Sequence, residues 1–324
     1  MKSTLSMIAV LAAAAITTAN VSAHAADYPE KPVTIIVPFD PGAATDLAGR
    51  IITDELGKSL GQRFLVENKP GAAGAVGSQQ CAQAAPDGYT LCVGVLGSHV
   101  TAAITNKKLP YDPAKDFTPI SLLYASTMAI AVSTDQLKVK DFDNLVAYVR
   151  ENPGKVSYGT AGVGSPQHLF IESLKQQHGL DLVHVPYNGG AQAVADTAAG
   201  YIQMVVASLP SVVPQVASGK LRIVALADAQ KNPSQPDVAL VKDTFPGTVF
   251  TGWAGIFGPA GLPDDIRDKL NEAIGAALAS EPVRAGFAKL DAAPQHTTPD
   301  ELHSMIVDTI ALWKDVAEKA GIGR

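Results

Sequence analysis

The sequence has little charge and no basic run. Of its 324 residues, 17% are charged, with 25 Lys and Arg against 31 Asp and Glu, so the formal net charge is −6. A protein this acidic is not expected to bind nucleic acid or an anionic membrane surface. Hydrophobic residues make up 47% of the chain, which is enough to bury a large core and excludes a disordered chain.

Sequence signatures of catalysis are also missing. The chain contains no GxSxG elbow, no HExxH and no GxxxxGK[ST] loop. Ser98 and His99 are adjacent, and neighbours in sequence do not make a catalytic triad. The histidines at 99, 168, 178 and 184 have no recognisable zinc spacing. We therefore predict a protein without catalytic residues, metal site or cofactor.

Cysteine is scarce as well, with two residues in the chain, Cys81 and Cys92. The pair is too sparse for a metal site and lacks the CxxC spacing of a redox centre. The segment between them, "AQAAPDGYTL", contains a Pro-Asp-Gly turn that would bring a helix end back beside a strand. We favour a disulfide over two buried thiols, and a loop this short predicts a stabilisation of about 2–3 kcal/mol.

The N-terminus contains the features of an export signal. Lys2 supplies a positive charge, the apolar segment Met7–Ala19 is too short to span a membrane, and "AHA" at Ala23–Ala25 fits a small-x-small cleavage site. We predict a signal peptide over residues 1–25, cleaved after about Ala25; the alternative is a buried N-terminal helix. Removing Lys2 leaves the mature chain at −6 − 1 = −7. No cysteine lies near the cleavage site, so no lipid anchor is expected.

Beyond the signal, strand-like and helix-like segments alternate. A β-branched run, "VTIIVPF", precedes a helix-like pattern at residues 46–60, and the same rhythm restarts near Phe142. Such alternation predicts mostly parallel sheets flanked by helices. Two crossing segments, near 124–128 and 249–253, predict a two-stranded hinge. We expect two α/β lobes: residues 26–125 with 250–324 as lobe I, and 126–249 as lobe II.

Ligands of α/β sheets lie beyond the carboxyl ends of strands, where helices begin. The first such turn is "PFDPGAATD", in which Gly42, Ala43 and Ala44 leave the backbone accessible and Thr45 or Asp46 would cap the helix. Because a helix N-terminus carries unpaired N–H groups and partial positive charge, it holds an anion without Lys or Arg. The alternative interpretation is an ordinary capped turn.

Two later turns repeat this design. "YGTAGVGSPQH" places Ser165 as a predicted N-cap before Pro166, and it is not GxGxxG because Gln167 stands at the third glycine. His168 is either a ligand contact or a packing residue. "HVPYNGGAQAVAD" places Tyr187 and Asn188 in a third turn. Turns facing each other across a cleft would suit a ligand with a carboxylate at each end.

These motifs occur together in a recognisable order. The ordered set is "YPEKPVTIIVPFDPGAATDLAGR", "VENKPGAAGAVGS", "APDGYTL", "LPYDPAKDFTPIS", "GSPQHL", "HVPYNGGAQAVAD" and "GWAGIFGPAGLP". It resembles the Bug-type periplasmic solute receptors of tripartite tricarboxylate transporters over essentially the whole mature chain. Two departures stand out: Ala43 replaces the second glycine usual after the proline, and "QKNPSQPDVALVKDTFPG" diverges from the family's form.

The resemblance implies a two-lobed, type II periplasmic-binding-protein fold that binds small carboxylates and delivers them to membrane permease subunits. The family's ligand loops match Phe39–Asp46 and Thr160–Ser165, and Asp46 matches a ligand-facing aspartate that either meets a ligand ammonium group or only caps its helix. We expect a periplasmic monomer. The predicted ligand contacts are Phe39, Gly42, Ala43, Ala44, Thr45, Asp46, Ser98, Thr160, Gly162, Gly164, Ser165, His168, Tyr187, Asn188, Ser208 and Trp253.

Two other functions fit parts of this pattern. One is a receptor that reports ligand occupancy to a membrane signalling protein, which the sequence does not distinguish from an uptake receptor. The other is an exported α/β enzyme acting on the same acids. An enzyme would need an activated nucleophile beside a base, and the sequence shows none.

Overall fold

The computed structural model describes residues 28–290 and 292–323. The predicted signal peptide, residues 1–25, lies outside the described residues. The strands are β1 (Val33–Val37), β2 (Phe64–Asn68), β3 (Thr90–Val95), β4 (Phe117–Ser133), β5 (Val156–Thr160), β6 (Leu182–Pro186), β7 (Met204–Ser208), β8 (Leu221–Leu226), β9 (Thr251–Pro259) and β10 (Ala293–Pro294). The helices are α1 (Ala44–Leu60), α2 (Ala75–Ala82), α3 (Ala102–Thr105), α4 (Phe142–Glu151), α5 (Pro166–His178), α6 (Gly190–Ala198), α7 (Leu209–Ala217), α8 (Val241–Thr244), α9 (Asp264–Ala279), α10 (Glu281–Ala288) and α11 (Pro299–Ala320), with a 3-10 turn at Ala72–Gly74 and a π-helical turn at Gly97–Thr101.

The long strand β4 belongs to two sheets. From Phe117 to Thr127 it pairs antiparallel with β9, and from Met128 onward it pairs antiparallel with β7 and β8. Sheet A therefore runs β2-β1-β3-β9-β4, and sheet B continues β4-β7-β5-β6. The outer strands of each sheet are parallel, β1 to β2 and β3, and β5 to β6 and β7. The antiparallel pairs are those of β4 and β9, which carry the chain between the sheets.

Helices cover both faces of sheet A because strand β1, which lies between β2 and β3, is apolar on both sides. Val33, Ile35 and Ile36 of β1 are at most 1% exposed, as expected for a parallel strand between two helical layers. On one face Ile52 of α1 and Leu270 of α9 share a hydrophobic cluster. The predicted class, α/β with flanking helices, is confirmed.

The C-terminal helix α11 lies against both sheets. The aromatic rings of Phe170 on α5 and Phe250 stack with centroids 4.6 Å apart, and Phe250 lies 5.7 Å from Trp313 of α11. Gln176 of α5 donates to the carbonyl of Val316 at 2.9 Å. Helix α11 therefore packs across the region where β4 leaves sheet A.

One predicted helix cap is confirmed and one is wrong. Ser165 caps α5 with Pro166 in its first turn. At the start of α11, Thr298 and Glu301 form a capping box. In α1, however, the N-cap is Ala43, which has no side-chain cap, so neither Thr45 nor Asp46 caps the helix. The helix starts at Ala44, earlier than its apolar pattern indicated.

Cys81 and Cys92 form the favoured disulfide. Their Cα atoms are 6.0 Å apart, which is within the ordinary range for a disulfide. The bond joins α2 to β3, and both residues are fully buried.

Candidate ligand-binding site

A cavity of about 390 Å³ lies where β4 passes from sheet A to sheet B. Its apolar or backbone-lined wall comprises Phe39, Val95, Leu96, Gly97, Met128, Pro166, Pro210, Gly252, Trp253, Leu290 and Ala292, and its polar side chains are Thr45, Tyr124, Ser126, Gln167 and Ser208. None of these described residues carries a formal charge at neutral pH. An anion in this cavity would therefore be held by hydrogen-bond donors and helix ends.

The β1–α1 loop, residues 38–43, is held by the carboxylate of Asp46. One carboxylate oxygen accepts the N–H of Gly42 at 2.8 Å, and the other accepts the side-chain amide of Asn68 at 2.8 Å. Arg50 donates to both oxygens, at 3.1 and 3.0 Å. The carboxylate is therefore saturated by protein donors and almost fully buried. Burial raises the pKa of Asp46, but the hydrogen bonds from Arg50, Gly42 and Asn68 prevail and hold that pKa below its usual value.

The β5–α5 loop, residues 161–165, is held by the ring of His168. Its Nδ1 accepts the N–H of Gly164 at 3.0 Å. The ring stacks on His184 with centroids 3.7 Å apart. The His184 Nε2 lies 2.7 Å from the hydroxyl oxygen of Thr160, which in turn accepts the N–H of Gly162 at 3.2 Å. A pair of imidazoles therefore fixes two glycine amides of this loop.

The two loops share one geometry. In each, the third helical residue, Asp46 or His168, accepts the N–H of a glycine four positions earlier. Both glycines have positive φ, 84° at Gly42 and 75° at Gly164, a conformation that glycine adopts at little cost. In each loop the second helical residue, Thr45 or Gln167, lines the cavity.

Several backbone amides that the sequence predicts to bind the ligand already donate hydrogen bonds within the protein. Gly42 and Ala43 donate to Asp46 and to the Asp40 carbonyl. In the second loop Gly162 donates to the Thr160 hydroxyl, Gly164 to His168 Nδ1, and Ser165 to the Gly162 carbonyl at 3.2 Å. The donors that helix geometry leaves without an intrahelical acceptor are those of the first turns, at Thr45 and Asp46 in α1 and at Gln167 in α5. An anion held by the remaining amides would therefore lie one to three residues further into the helices than the sequence predicts.

Of the other predicted contacts, some line this cavity and others do not. Phe39, Thr45, Ser208 and Trp253 line it, and Gly164 and Ser165 line an adjoining cavity of about 320 Å³ that shares Gly97 and Pro166 with it. Ser98 is fully buried, with its hydroxyl oxygen 3.0 Å from His99 Nδ1. His168 is buried beneath its loop, whereas Tyr187 bonds with Asp196 and Asn188 is exposed. Ser98, His168, Tyr187 and Asn188 line neither cavity.

Sequence reasoning missed the side chains that β4 contributes. Tyr124, Ser126 and Met128 alternate along the strand at its crossing and all face the cavity. The Tyr124 hydroxyl forms a hydrogen bond with the Thr45 side chain. Burial raises the pKa of Tyr124 and this hydrogen bond lowers it; the effect of burial is the larger. The alternation was visible in "YASTM", but the surrounding run is apolar enough to be interpreted as core. Leu290 and Ala292 come from far along the chain and gave no local signal.

A larger groove of about 700 Å³ lies on the outer side of sheet A, between α1 and the edge strand β2. Its lining includes the cations Arg50, Lys58 and Arg63 and one carboxylate, that of Asp54. Two of them are paired, Arg50 with Asp46 and Lys58 with Glu55. The groove is open and has no helix N-terminus among its walls, so charge alone favours it as an anion site, whereas enclosure and helix ends favour the cavity beside β4.

Within the part of the chain that the structure describes, no group of three His, Cys, Asp or Glu residues is placed to hold a metal ion. In residues 28–290 and 292–323, no helix combines the length and apolarity needed to cross a membrane.

A two-sheet α/β protein with an uncharged cavity between its sheets has the architecture of a periplasmic solute-binding protein. The family model for the tripartite tricarboxylate transporter family receptor matches residues 48–322. The chain belongs to this receptor family, which confirms the resemblance found in its motifs.

Relatives and solved structures agree with this assignment. Protein BugT of Bordetella pertussis is 31% identical over 319 residues, covering 98% of this chain and 97% of BugT. R. palustris Rpa4515, solved with adipate, is 31% identical with a TM-score of 0.74 and covers 91% of this chain and 99% of that one. MatC of Rhodopseudomonas palustris, solved with bound malate, is 33% identical with a TM-score of 0.69 and covers 89% of this chain and 99% of MatC.

Proposed function

We propose that this receptor captures a small carboxylate in the cavity of about 390 Å³ beside β4 and delivers it to the membrane permease subunits of its transporter. The observation that carries the proposal is the approach of two helix starts to one uncharged cavity, through Thr45 of α1 and Gln167 of α5. The two helices come from opposite sheets.

The chemistry of these helix ends suits an anion. Helices of 17 and 13 residues each concentrate about half a positive charge at the N-terminus and direct unpaired N–H groups outward. The hydroxyls of Thr45, Tyr124 and Ser126 add neutral donors to the same wall. A cavity without a fixed positive side chain holds a carboxylate reversibly, as uptake requires.

The ligand body is expected to be apolar and short. Phe39, Met128 and Trp253 form the wall between the polar groups. Adipate and malate, which are bound in the two solved relatives, each carry a carboxylate at both ends. We infer a dicarboxylate as the ligand class, one end at each helix start.

The state of Asp46 argues against an amino-acid ligand. Its carboxylate already accepts from Gly42, Asn68 and Arg50, so a ligand ammonium group would have to displace one of these donors. Asp46 does not line the cavity. We therefore assign it to holding its loop.

The side chain of Gln167 provides a second basis for selecting among ligands. Its carboxamide oxygen is buried and accepts no hydrogen bond from the described residues. A buried acceptor without a partner is costly, so a ligand hydroxyl, as in a 2-hydroxy acid, would gain from meeting it.

Catalysis on the same acids has little support. The serine and histidine in contact, Ser98 and His99, are both fully buried. Burial lowers the pKa of His99 to about 3, so its ring is neutral but out of reach of a ligand. We infer a receptor without enzymatic activity.

The remaining expectations are proposals of the same kind. We propose export by the signal at residues 1–25, a periplasmic monomer, and lobes at residues 26–125 with 250–324 and at 126–249. The change of β4 partners between Thr127 and Met128 supports this division.

Calorimetric titration of the mature protein tests the proposal. Adipate and malate are expected to bind, and at 100 times the Kd either should stabilise the fold by about 2.7 kcal/mol. Lysine and glucose are the controls. Binding of a control compound without binding of either acid would contradict the carboxylate assignment.

A further inference from the structure

His168, which is buried, and His184, which is half-buried, form a stacked pair directly beneath the β5–α5 loop. Their rings are nearly parallel, at 14°, with centroids 3.7 Å apart. His168 is 6% exposed and lines neither cavity. Any effect of the pair on a ligand in either cavity would therefore pass through the loop.

The contact with Gly164 fixes the protonation state of His168. Its Nδ1 lies 3.0 Å from the N–H of Gly164, so Nδ1 must carry a lone pair and the proton of the neutral ring is on Nε2. Protonation of Nδ1 would place two donors against each other. The Gly164 end of the loop would then have to move, and it is the segment that leads into Ser165 and the helix start at Gln167.

We propose that His168, supported by its stacking on His184, is a positioning residue that holds the α5 helix start in its ligand-binding arrangement only while its Nδ1 is unprotonated. This inference rests on the proposed binding of a carboxylate between the two helix starts. It predicts that affinity falls on acidification, in a step that belongs to the protein and not to the ligand.

The groups around the pair come from three elements. On α5, Glu172 lies 3.8 Å from His168 Nε2 and accepts from Lys175 at 2.7 Å. On β5, the Tyr158 hydroxyl donates to Glu172 at 2.9 Å, and His184 is on β6. Burial lowers the pKa of His168, with Glu172 opposing and Lys175 adding to the effect. Burial, followed by the charge of His168, lowers the pKa of His184 to about 4.

Protonation of His168 has two opposite effects on affinity for an anion, so the direction of the measured change distinguishes between them. A protonated imidazole near an anion site adds positive charge, which would raise affinity. Loss of the Gly164 contact would lower it. Because His168 faces Glu172 and not the cavity, we expect the second effect to prevail.

The test uses the mature protein, adipate as probe, and calorimetric titration at about pH 7.5 and about pH 4.5. The lower pH lies well below the ordinary histidine pKa because burial lowers the pKa of His168. H168A is expected to bind at least about tenfold more weakly than wild type at about pH 7.5, because a neutral acceptor is lost. H168N, whose amide oxygen replaces Nδ1 without titrating, should restore most of that affinity. Wild type should lose at least about threefold more affinity than H168N on acidification. Protonation of adipate affects both proteins equally, so it does not contribute to this difference.

His178 supplies the matched control. It lies on the same helix, stacks on Phe245 at 3.6 Å, and has a pKa lowered by burial, but it does not contact the loop. H178N should follow the wild-type pH dependence. Equal pH dependence of wild type and H168N, or affinity that rises on acidification in wild type alone, would overturn the proposal.

A ligand-free measurement separates this inference from the proposed function. Imidazole nitrogen NMR should show an unprotonated Nδ1 in His168 at about pH 7.5. Hydrogen exchange at Gly164, corrected for its intrinsic rate, should accelerate on acidification in wild type but not in H168N. If adipate binds to neither wild type nor any variant, the carboxylate assignment fails. The NMR and hydrogen-exchange measurements still test the proposed role of the histidine pair, because they need no ligand. A protonated Nδ1, or identical exchange in both proteins, would refute it.

Discussion

The β1–α1 and β5–α5 loops, which approach the cavity, have the same backbone geometry but are held by different acceptors, one charged and one neutral. In both, a positive-φ glycine donates to the third residue of the following helix, at Gly42 and Asp46 and at Gly164 and His168. In the first loop the acceptor is a carboxylate shared with Arg50 and Asn68. In the second it is a neutral ring without a formal charge.

This difference indicates that the loops differ in what can open them. A charged acceptor with several donors is strong and stays ionised over a wide pH range. A neutral imidazole is a weaker acceptor and is lost on protonation, which the lowered pKa values of His168 and His184 place below the ordinary histidine value. The first loop is therefore expected to be the fixed side of the site, and the second to be the adjustable side.

The largest expected effect tests whether both helix starts contact the ligand. T45E and Q167E each place a carboxylate at the second helical position, where acidic residues favour the helix, so folding should be preserved. Each should weaken adipate binding by at least about 100-fold, or about 2.7 kcal/mol, through like-charge repulsion. T45V and Q167L are the uncharged controls. Weaker adipate binding in only one of the two variants T45E and Q167E would show that a single helix start holds the anion.

Removing the acceptors should destabilise the two loops unequally. D46A leaves the amide donors of Gly42 and Asn68 without a charged partner and should cost about 3 kcal/mol, whereas H168A should cost about 1–2 kcal/mol. Urea unfolding measures both, with D46N and H168N as controls that keep an acceptor oxygen. Equal costs would remove the proposed distinction between fixed and adjustable loops.

Acidification should open one loop before the other. The lowered pKa of Asp46 means that its contribution to stability is present above its ordinary value of 3.8 and is lost only as pH falls below it. The lowered pKa values of His168 and His184 favour neutral rings, so their contribution is complete above 6.5 and is lost as pH falls, towards about 4 for His184. Hydrogen exchange at about pH 4.5, corrected for its intrinsic rate, should therefore accelerate in residues 160–168 while residues 38–46 stay protected. Simultaneous opening would contradict this order.

The smallest effect concerns the caps. Ser165 accepts the N–H of His168 at 3.3 Å, whereas Ala43 offers α1 no side-chain cap. S165A should lower the free energy of unfolding by about 1 kcal/mol, and A43S should raise it by about 0.5–1 kcal/mol, since Ala43 already has the extended backbone of an N-cap. Thermal unfolding compares the two; a stabilising S165A would show that this loop is strained by its cap.

Much of this arrangement was predictable from local patterns. Strand, turn and helix starts follow from β-branched runs, glycines and Ser165-Pro166, and the disulfide follows from a short loop with a turn. The partners of individual amides were not predictable, because Asp46 and His168 each turn back on their own loop, and side-chain direction leaves no trace in residue type. Tyr124 and Met128 were missed because a strand that crosses between sheets is apolar for packing as well as for lining a site.

The central claim is tested most directly by a crystal structure of the mature protein with adipate. We predict a carboxylate within hydrogen-bond distance of the first-turn amides at Thr45 and Asp46, and the other near the amide of Gln167, with Trp253 against the chain between them. Adipate bound instead in the outer groove, against Arg50, Lys58 or Arg63, would contradict the account.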